Sequence, residues 1–202
     1  MTTHKSIDAA KQAMRSDMEG ARSALSAAER EAGADALAHE GIAFAAPSAH
    51  AVISGYAAIG DELNLWPLLE TLAASGRPIA LPVTVRKGAP LIFRQWEPGA
   101  VLRGGAFRVP IPGEDAAELE PEILLVPLLA FDMKGFRLGY GAGFYDRTLA
   151  GLRARGRVTA IGIAFETQQI EAVPHDAYDE ALDWVLTPSG PVKVGRPIRV
   201  EG

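Results

Sequence analysis

The chain has 202 residues, 48% hydrophobic and 22% charged, which is the composition of an ordinary globular protein. Its 20 basic and 25 acidic residues give a net charge of −5, which argues against a surface built to bind nucleic acid. The absence of cysteine excludes disulfides, thiolate metal sites and a cysteine nucleophile. No apolar run approaches the ~18 residues of a membrane span, and the polar start lacks the apolar core of a signal peptide. We therefore expect a cytoplasmic protein with neither a nucleic-acid nor a membrane partner.

The first 45 residues predict two helices. Apolar residues recur every three or four positions at Ile7, Ala10, Met14, Met18, Ala21 and Leu25. The segment from Ser26 to Glu29 has a capping-box pattern, so a second helix is expected to begin there and to continue to about Ala45, before Pro47.

From Ala51 onward, predicted strands alternate with predicted helices. The predicted strands cover residues 51–56, 79–85, 91–96, 123–130, 158–165 and 184–186. The predicted helices cover residues 65–75 and 144–155, and the proline-rich stretch 98–121 is predicted to be mostly loop. This alternation predicts an α/β fold, with a layered, mainly parallel sheet flanked by helices and an N-terminal helical segment. We expect a single domain over residues 1–202, with helices 1–46 packing on the α/β core.

A glycine-rich segment follows the most apolar predicted strand and precedes the helix 144–155. Gly139, Gly141 and Gly143 alternate there, flanked by Arg137 and Arg147. Glycines allow backbone NH groups to face a ligand, and a helix N-terminus adds the positive end of its dipole. This pattern indicates a phosphate-binding loop, in the position where open α/β sheets bind ligands. The spacing matches neither the dinucleotide fingerprint nor the Walker A motif, and a tight turn without a ligand is the alternative.

Three cations share one face of the first predicted helix. Lys11 and Arg15 are four residues apart, and Arg22 follows seven residues later. Like charges at this spacing repel each other unless an anion lies between them. The face is therefore either a solvated basic surface or part of a helix that closes over a polyphosphate.

Residues 174–183 form a predicted acidic loop, which is a candidate source of metal ligands. Mg²⁺ is commonly held by one or two carboxylates together with phosphate oxygens. Asp146 and one acid from this loop would form such a pair, and the spacing does not choose among Asp176, Asp179 and Asp183. We interpret His175 as a surface turn residue without a catalytic role.

The segment from Arg137 to Arg147, RLGYGAGFYDR, closely resembles the signature of the 5-formyltetrahydrofolate cyclo-ligase family. The resemblance spans nearly the whole chain and includes Lys11 and Arg15, residues 60–64, residues 126–128, Pro174, Asp179 and Asp183. It implies an ATP- and Mg²⁺-dependent closure of 5-formyltetrahydrofolate to 5,10-methenyltetrahydrofolate, with release of ADP and phosphate. The formyl oxygen would attack the γ-phosphate, and N10 would then close on the activated carbon as phosphate leaves.

The resemblance also implies roles for individual residues. The ATP-binding residues would be Lys11, Arg15, Arg137, Leu138, Gly139, Tyr140, Gly141, Ala142, Gly143, Phe144 and Tyr145. The folate-binding residues would be Ile59, Glu62, Asn64, Tyr140 and Phe144. Arg137, Tyr145 and Asp146 would be catalytic, and Asp146 and Asp179 would hold Mg²⁺. The partners would be small molecules, bound by a monomer.

Two positions depart from the family pattern. Relatives commonly have an acid at the position of Asn64, and a glycine or a basic residue at that of Ala142, where losing a basic side chain would remove a phosphate contact. Asn64 leaves room for an enzyme that acts on a different amide or folate-like substrate. A second alternative is a folate- or nucleotide-binding protein without turnover, against which Asp146 and Asp179 argue. A dinucleotide-dependent oxidoreductase ranks last because its glycine spacing is absent.

Overall fold

The computed structural model describes residues 2–195, with side chains from residue 7. Its four α-helices are α1 (Thr2–Ser23), α2 (Ala27–Glu40), α3 (Trp66–Ala74) and α4 (Phe144–Arg155). Short 3₁₀ helices lie at Ala43–Ala45, Ala106–Arg108 and Glu166–Gln168. The helices predicted over 65–75 and 144–155 are confirmed. Within residues 2–195, no helix combines the length and the apolar character that a membrane span requires.

The boundary between α1 and α2 follows the predicted capping box. Ser26 Oγ accepts a hydrogen bond from the Glu29 backbone NH at 3.2 Å, and Glu29 Oε2 accepts one from the Ser26 NH at 2.8 Å. The predicted end of the second helix at Ala45 is wrong. The helix stops at Glu40 because Gly41 has a φ of +66°, a left-handed conformation that ends a helix, and a separate 3₁₀ turn follows.

Eleven strands occur in the described range. In chain order they are β1 (Ile53–Ser54), β2 (Ile79–Val83), β3 (Ile92–Trp96), β4 (Arg103–Gly104), β5 (Pro110–Ile111), β6 (Ile123–Pro127), β7 (Ala130–Phe131), β8 (Arg137–Leu138), β9 (Thr159–Ile163), β10 (Trp184–Thr187) and β11 (Gly190–Lys193). Seven of them form the main sheet in the order β11-β10-β9-β6-β1-β2-β3. The five central strands are parallel, and β3 and β11 are antiparallel edge strands, so the mainly parallel α/β fold is confirmed.

The strand order places a crevice between β1 and β6. The chain leaves β1 through α3 and returns in β2 on one side, whereas it leaves β6 and returns through α4 in β9 on the other side. Adjacent parallel strands whose connections run in opposite directions form a topological switch point, and the crevice outside their carboxyl ends is where such sheets bind ligands. The segments after β1 and β6 therefore meet at one edge of the sheet.

The apolar run 123–130 does not form one strand, contrary to the prediction. β6 ends at Pro127, and β7 begins at Ala130 in a separate ribbon with β8. Gln168 Nε2 donates to the carbonyl oxygens of Leu128 and Leu129 at 2.9 and 3.1 Å, and so it satisfies the backbone where the run leaves the sheet. The predicted strand 51–56 is reduced to β1, the predicted loop 98–121 contains β4 and β5, and β11 was not predicted.

The core has a layer on each face of the sheet and a smaller cluster at its edge. Ile123 and Leu125 of β6 face the layer under α2 and α3, while Leu124 and Val126 face the layer under α4. This alternation shows why the predicted strand is apolar throughout. The third cluster packs Met14 and Met18 of α1 with Leu129, Leu138 and Val173. It holds α1 over the segments that follow β6.

The face of α1 that packs on the molecule differs from the predicted apolar stripe. Ala10 and Ala21 are exposed, whereas Arg22 is 6% exposed and Lys11 and Arg15 are partly buried beside the methionines. The basic face and the packed face of the helix are therefore the same face.

Candidate active site

The glycine-rich loop joins β8 to α4 at the crevice. Gly141 and Gly143 have φ values of +93° and +63°, and Gly143 is the N-cap of α4. A Cβ at Gly143 would lie 2.7 Å from Arg147 Nη1, and one at Gly141 would lie 3.2 Å from Arg15 Cζ. Glycine is favoured at both positions by the positive φ, and a methyl group there would also displace the end of an arginine side chain.

The cations of α1 contact three different parts of the crevice. Lys11 Nζ donates to Asp179 Oδ1 and Oδ2 at 2.8 and 2.6 Å. Arg15 Nε donates to the Gly139 carbonyl at 2.9 Å, and Arg22 Nη1 donates to the Tyr140 hydroxyl at 2.8 Å. This face is consequently not a solvated basic surface, because α1 crosses the glycine-rich loop.

Arg137 and Asp146 form an ion pair next to the loop, in which Arg137 is buried and Asp146 is partly buried. Arg137 Nη2 lies 2.8 Å from Asp146 Oδ1, and the side chain of Arg137 is 5% exposed. Arg137 Nη1 donates to the Glu180 carbonyl at 2.6 Å, and the Glu180 NH donates to Asp146 Oδ1 at 3.1 Å. These bonds hold the Asp146 carboxylate beside the residue that follows Asp179. The half-buried Tyr145 has its pKa raised by burial and, to a lesser degree, by the charge of Glu62.

The candidate metal ligands separate into two groups. Asp146 of α4 accepts a hydrogen bond from the NH of Glu180, the residue after Asp179, so these two aspartates belong to one region. Asp183 instead accepts hydrogen bonds through Oδ2 from Arg153 Nη2 and the Ala160 NH, at 3.1 and 2.8 Å. Asp176 supplies its backbone NH to Asp179 Oδ2 at 2.8 Å. No cluster of three or more His, Cys, Asp or Glu side chains able to hold a metal occurs in the described part of the chain. Two carboxylates suffice for Mg²⁺ when phosphate and water oxygens complete the shell.

The acidic loop around Asp179 also carries His175. The imidazole stacks on the ring of Phe136, with 3.4 Å between ring centroids and 8° between planes. Its Nδ1 lies 2.9 Å from the Val173 carbonyl. The residue is exposed and packs the loop onto its neighbour, in agreement with a surface turn position.

Glu62 lies on the other side of the loop, in the segment after β1. Its Oε1 accepts a hydrogen bond from the Tyr140 hydroxyl at 2.5 Å, and its Oε2 accepts one from the Ile59 NH at 2.8 Å. Burial raises the pKa of Glu62, while these two hydrogen bonds and the charge of Arg22 partly lower it. Burial, followed by the charge of Glu62, raises the pKa of Tyr140 as well.

A cavity of about 450 Å³ opens beside Glu62, between α2 and the segment that follows β1. Its lining consists of Arg30, Glu31, Ala34, Asp35, Ala58, Gly60, Glu62, Asn64 and Pro67. Asn64 also accepts a hydrogen bond from the Trp66 NH at 3.1 Å, which holds the start of α3. Of the predicted folate contacts, Glu62 and Asn64 line this cavity, whereas Ile59 does not and has an exposed side chain.

The remaining predicted residues lie along the loop itself. Leu138 is buried in β8, and Phe144 begins α4 with its ring 5.6 Å from the Arg147 guanidinium carbon. Arg147 Nη2 donates to the Ala142 carbonyl at 2.6 Å. A cation therefore reaches the loop at position 142 although the side chain there is a methyl group.

Sequence reasoning missed the α2 residues that line the cavity and the pairing of Arg22 with Tyr140. No spacing signal marks the lining residues, because the cavity depends on how α2 packs against residues 58–67. The position of Arg22 on the same helix face as Lys11 and Arg15 could have predicted that it contacts the loop. The predicted apolar stripe instead placed Ala10 and Ala21 on the buried side of the helix, and both are exposed.

The residues of this site lie within a region shared with known proteins. A family model described as the 5-formyltetrahydrofolate cyclo-ligase family matches residues 7–188. The chain belongs to this family. Proteins named 5-formyltetrahydrofolate cyclo-ligase from Mycolicibacterium smegmatis and Escherichia coli K12 are 36% and 33% identical to it over 143 and 142 residues. These alignments cover 67% and 68% of this chain, and 73% and 78% of the relatives.

Solved structures agree with the cyclo-ligase assignment. The 5,10-methenyltetrahydrofolate synthetase of Aquifex aeolicus superposes with a TM-score of 0.75 at 25% identity, covering 95% of this chain and 96% of that one. The synthetase of Mycoplasma pneumoniae has the same fold, with a TM-score of 0.69, 24% identity and coverage of 88% and 98%. The resemblance noted in the sequence is thus confirmed, and the chain is an enzyme of the cyclo-ligase family.

Proposed function

We propose that this chain closes 5-formyltetrahydrofolate to 5,10-methenyltetrahydrofolate, using ATP and Mg²⁺ and releasing ADP and phosphate. The observation that carries the proposal is the crevice at the switch point. There a glycine-rich loop with α1 cations across it lies between a pair of aspartates and a cavity of about 450 Å³. The two substrates would occupy the two sides of the loop.

The loop and α1 would bind the triphosphate of ATP. Backbone NH groups at the start of α4 and the positive end of its dipole favour an anion. Arg15 and Arg147 donate to carbonyl oxygens of the loop, at Gly139 and Ala142. Such arginine–carbonyl bonds can be exchanged for bonds to phosphate oxygens, which are stronger because the acceptor is charged as well as the donor.

Asp146 and Asp179 would hold Mg²⁺ beside the phosphates. The donor set fits, because carboxylate oxygens are the ligands that Mg²⁺ prefers and nucleotide oxygens commonly complete its shell. Mg²⁺ would neutralise phosphate charge as the phosphoryl group is transferred. Arg137 would keep Asp146 oriented, and Lys11, now paired with Asp179, is placed to contact a phosphate oxygen when a cation replaces it.

The chemistry proposed needs no nucleophilic side chain. The formyl oxygen would attack the γ-phosphate, and N10 would then attack the activated carbon. Phosphoryl transfer depends mainly on positioning and charge neutralisation, which arginines, glycines and carboxylates supply. Tyr140 and Phe144 lie in the loop between the two sides, where an aromatic ring can stack on a flat heterocycle.

The experiment is a spectrophotometric assay of the purified protein with 5-formyltetrahydrofolate and Mg-ATP. We expect the absorbance of the methenyl product to appear, and to disappear when ATP is omitted or a chelator is added. Product without ATP, or ATP hydrolysis without a change in the folate, would contradict the proposal. Folate binding without any turnover would identify a binding protein instead.

A substitution tests the metal role within the same assay. Asp146→Asn removes a ligand charge but keeps the shape of the side chain. We therefore expect kcat to fall by about a hundredfold or more, because positioned charge at the transferred phosphoryl group supplies much of such catalysis. The KM for 5-formyltetrahydrofolate should change little. Equal losses in kcat and in folate affinity would contradict a metal role for Asp146.

A further inference from the structure

The carboxylate of Glu62 is buried at the junction between the glycine-rich loop and the cavity. Glu62 is 7% exposed and lines the cavity, and its Oε1 bonds to Tyr140 of the loop. The NH of Ile59 holds Oε2. An ionised carboxylate offers about four lone pairs, so these two bonds leave each oxygen able to accept another.

The proposed reaction contains a step that needs such a group. Before ring closure N10 carries a hydrogen, and in the methenyl product N10 is bonded to the bridging carbon without it. When the N10–carbon bond forms and the carbon–oxygen bond to phosphate breaks, the phosphate leaves with the bonding electron pair. The N10 proton therefore requires an acceptor on the folate side of the loop.

The other carboxylates nearby have different positions. Glu31 and Asp35 line the cavity from α2 as exposed side chains. Asp61 accepts a hydrogen bond from Ser23 Oγ at 2.7 Å and lies 3.5 Å from Arg30. Glu62 combines burial in the cavity wall with a direct hydrogen bond to the loop.

We propose that Glu62 is a catalytic residue whose carboxylate takes the N10 proton during ring closure. The inference rests on the proposed function. The N10–H bond breaks, its electron pair goes into the new N10–carbon system, and the proton forms a bond to Glu62. Tyr140 and the Ile59 NH act as positioning groups, because their hydrogen bonds fix the orientation of the carboxylate.

The surroundings suit a proton acceptor. Burial moves the pKa of Glu62 above its ordinary value of 4.5 and so brings it closer to neutral pH, where a general base is most effective. The titratable and charged groups that face it or share its cavity are Arg22 of α1, Arg30, Glu31 and Asp35 of α2, Tyr56 of the segment before it, Tyr140 of the loop and Tyr145 of α4.

The test compares ADP formation with methenyl formation in Glu62→Gln. Phosphoryl transfer precedes proton removal, so ADP should still form while ring closure slows by about a hundredfold or more. In a single turnover with enzyme in excess over 5-formyltetrahydrofolate, ADP should form at nearly the wild-type rate while the methenyl product appears much later, because the phosphorylated folate accumulates between the two steps. The Kd for 5-formyltetrahydrofolate, measured without ATP, should stay within about threefold of the wild-type value. Asp61→Asn is the matched control, since it neutralises the adjacent carboxylate, which lies outside the cavity lining.

The pH profile supplies a second readout. Ring closure requires ionised Glu62, so kcat of the wild type should fall as pH decreases through its raised pKa, and Glu62→Gln should lose this limb. Tyr140→Phe removes a hydrogen bond that lowers the pKa of Glu62, so the midpoint of the limb should move to higher pH. This variant keeps the test available if Glu62→Gln does not fold.

Several results would overturn the proposal. Glu62→Gln with kcat within about threefold of wild type, or with ADP and methenyl formation slowed equally in the single turnover, would show that Glu62 only binds or supports the fold. If Tyr140→Phe leaves the midpoint of the acidic fall in kcat at the same pH, Glu62 is not the group that titrates there, and the proposal is wrong. If the wild type consumes no ATP and forms no methenyl product, the proposed function fails first, and this inference fails with it.

Discussion

At the scale of single residues, Arg22 connects α1 to the side of the crevice where the cavity beside Glu62 opens. Its guanidinium donates to the Tyr140 hydroxyl and lies 5.8 Å from the centre of the ring, and Tyr140 in turn donates to Glu62. The Nε of Arg22 is buried without a hydrogen-bond partner among the described residues. A buried positive charge is costly unless a negative charge lies nearby. Here the hydroxyl of Tyr140 links the Arg22 guanidinium to the Glu62 carboxylate by two hydrogen bonds.

Replacing Arg22 by Met tests this connection. The substitution keeps most of the apolar stem but removes the charge and the hydrogen bond to Tyr140. We expect the free energy of unfolding to fall by about 1–3 kcal/mol, the usual cost of leaving a buried polar group without its partner. Urea denaturation followed by circular dichroism measures this change.

The exposed Arg86→Met is the control for Arg22→Met. Surface substitutions usually change stability by less than about 0.5 kcal/mol, so the control should resemble wild type. Equal stability of both variants and the wild type would mean that the bond between Arg22 and Tyr140 contributes nothing measurable to the packing of α1.

At the scale of elements, the glycine-rich loop was predictable and its neighbours were less so. Local patterns correctly predicted α3, α4, the strands β2 and β3 and a loop at the carboxyl edge. The division of the run 123–130 could not be predicted, because its apolar pattern is continuous and the break depends on Gln168, about 40 residues away. Similarly, the spacing of acids left Asp179 and Asp183 equivalent, and only their ion pairs with Lys11 and Arg153 distinguish them in the structure.

The loop offers a matched pair of glycine substitutions. Gly143→Ala places a Cβ in a left-handed conformation 2.7 Å from Arg147 Nη1, whereas Gly139→Ala meets no described heavy atom within 4 Å. We expect Gly143→Ala to lower the free energy of unfolding by about 1–2 kcal/mol, the cost of left-handed backbone strain, and to raise the KM for ATP severalfold. Gly139→Ala should be much milder in both respects. Thermal unfolding and steady-state kinetics measure these effects, and equal effects of the two substitutions would contradict a role for the left-handed conformation of Gly143.

At the scale of the whole molecule, the main sheet runs continuously from β3 at one edge to β11 at the other, and α1 packs against segments that follow its central strand β6. The single domain and the monomer remain predictions. We expect one cooperative unfolding transition, coincident by near- and far-ultraviolet circular dichroism, and a mass of 21.4 kDa by light scattering. Two separated transitions would contradict the single domain, and a doubled mass would contradict the monomer.

The ion pair between Lys11 and Asp179 joins residues 168 positions apart. During synthesis Lys11 leaves the ribosome long before Asp179 is added to the chain, so their ion pair can form only near the end of synthesis. Contacts between residues so far apart in sequence raise the contact order of the fold, and such contacts form more slowly than local ones. The proposed nucleotide side of the crevice therefore needs both ends of the chain, and a C-terminally shortened chain that lacks Asp179 would leave Lys11 without this carboxylate.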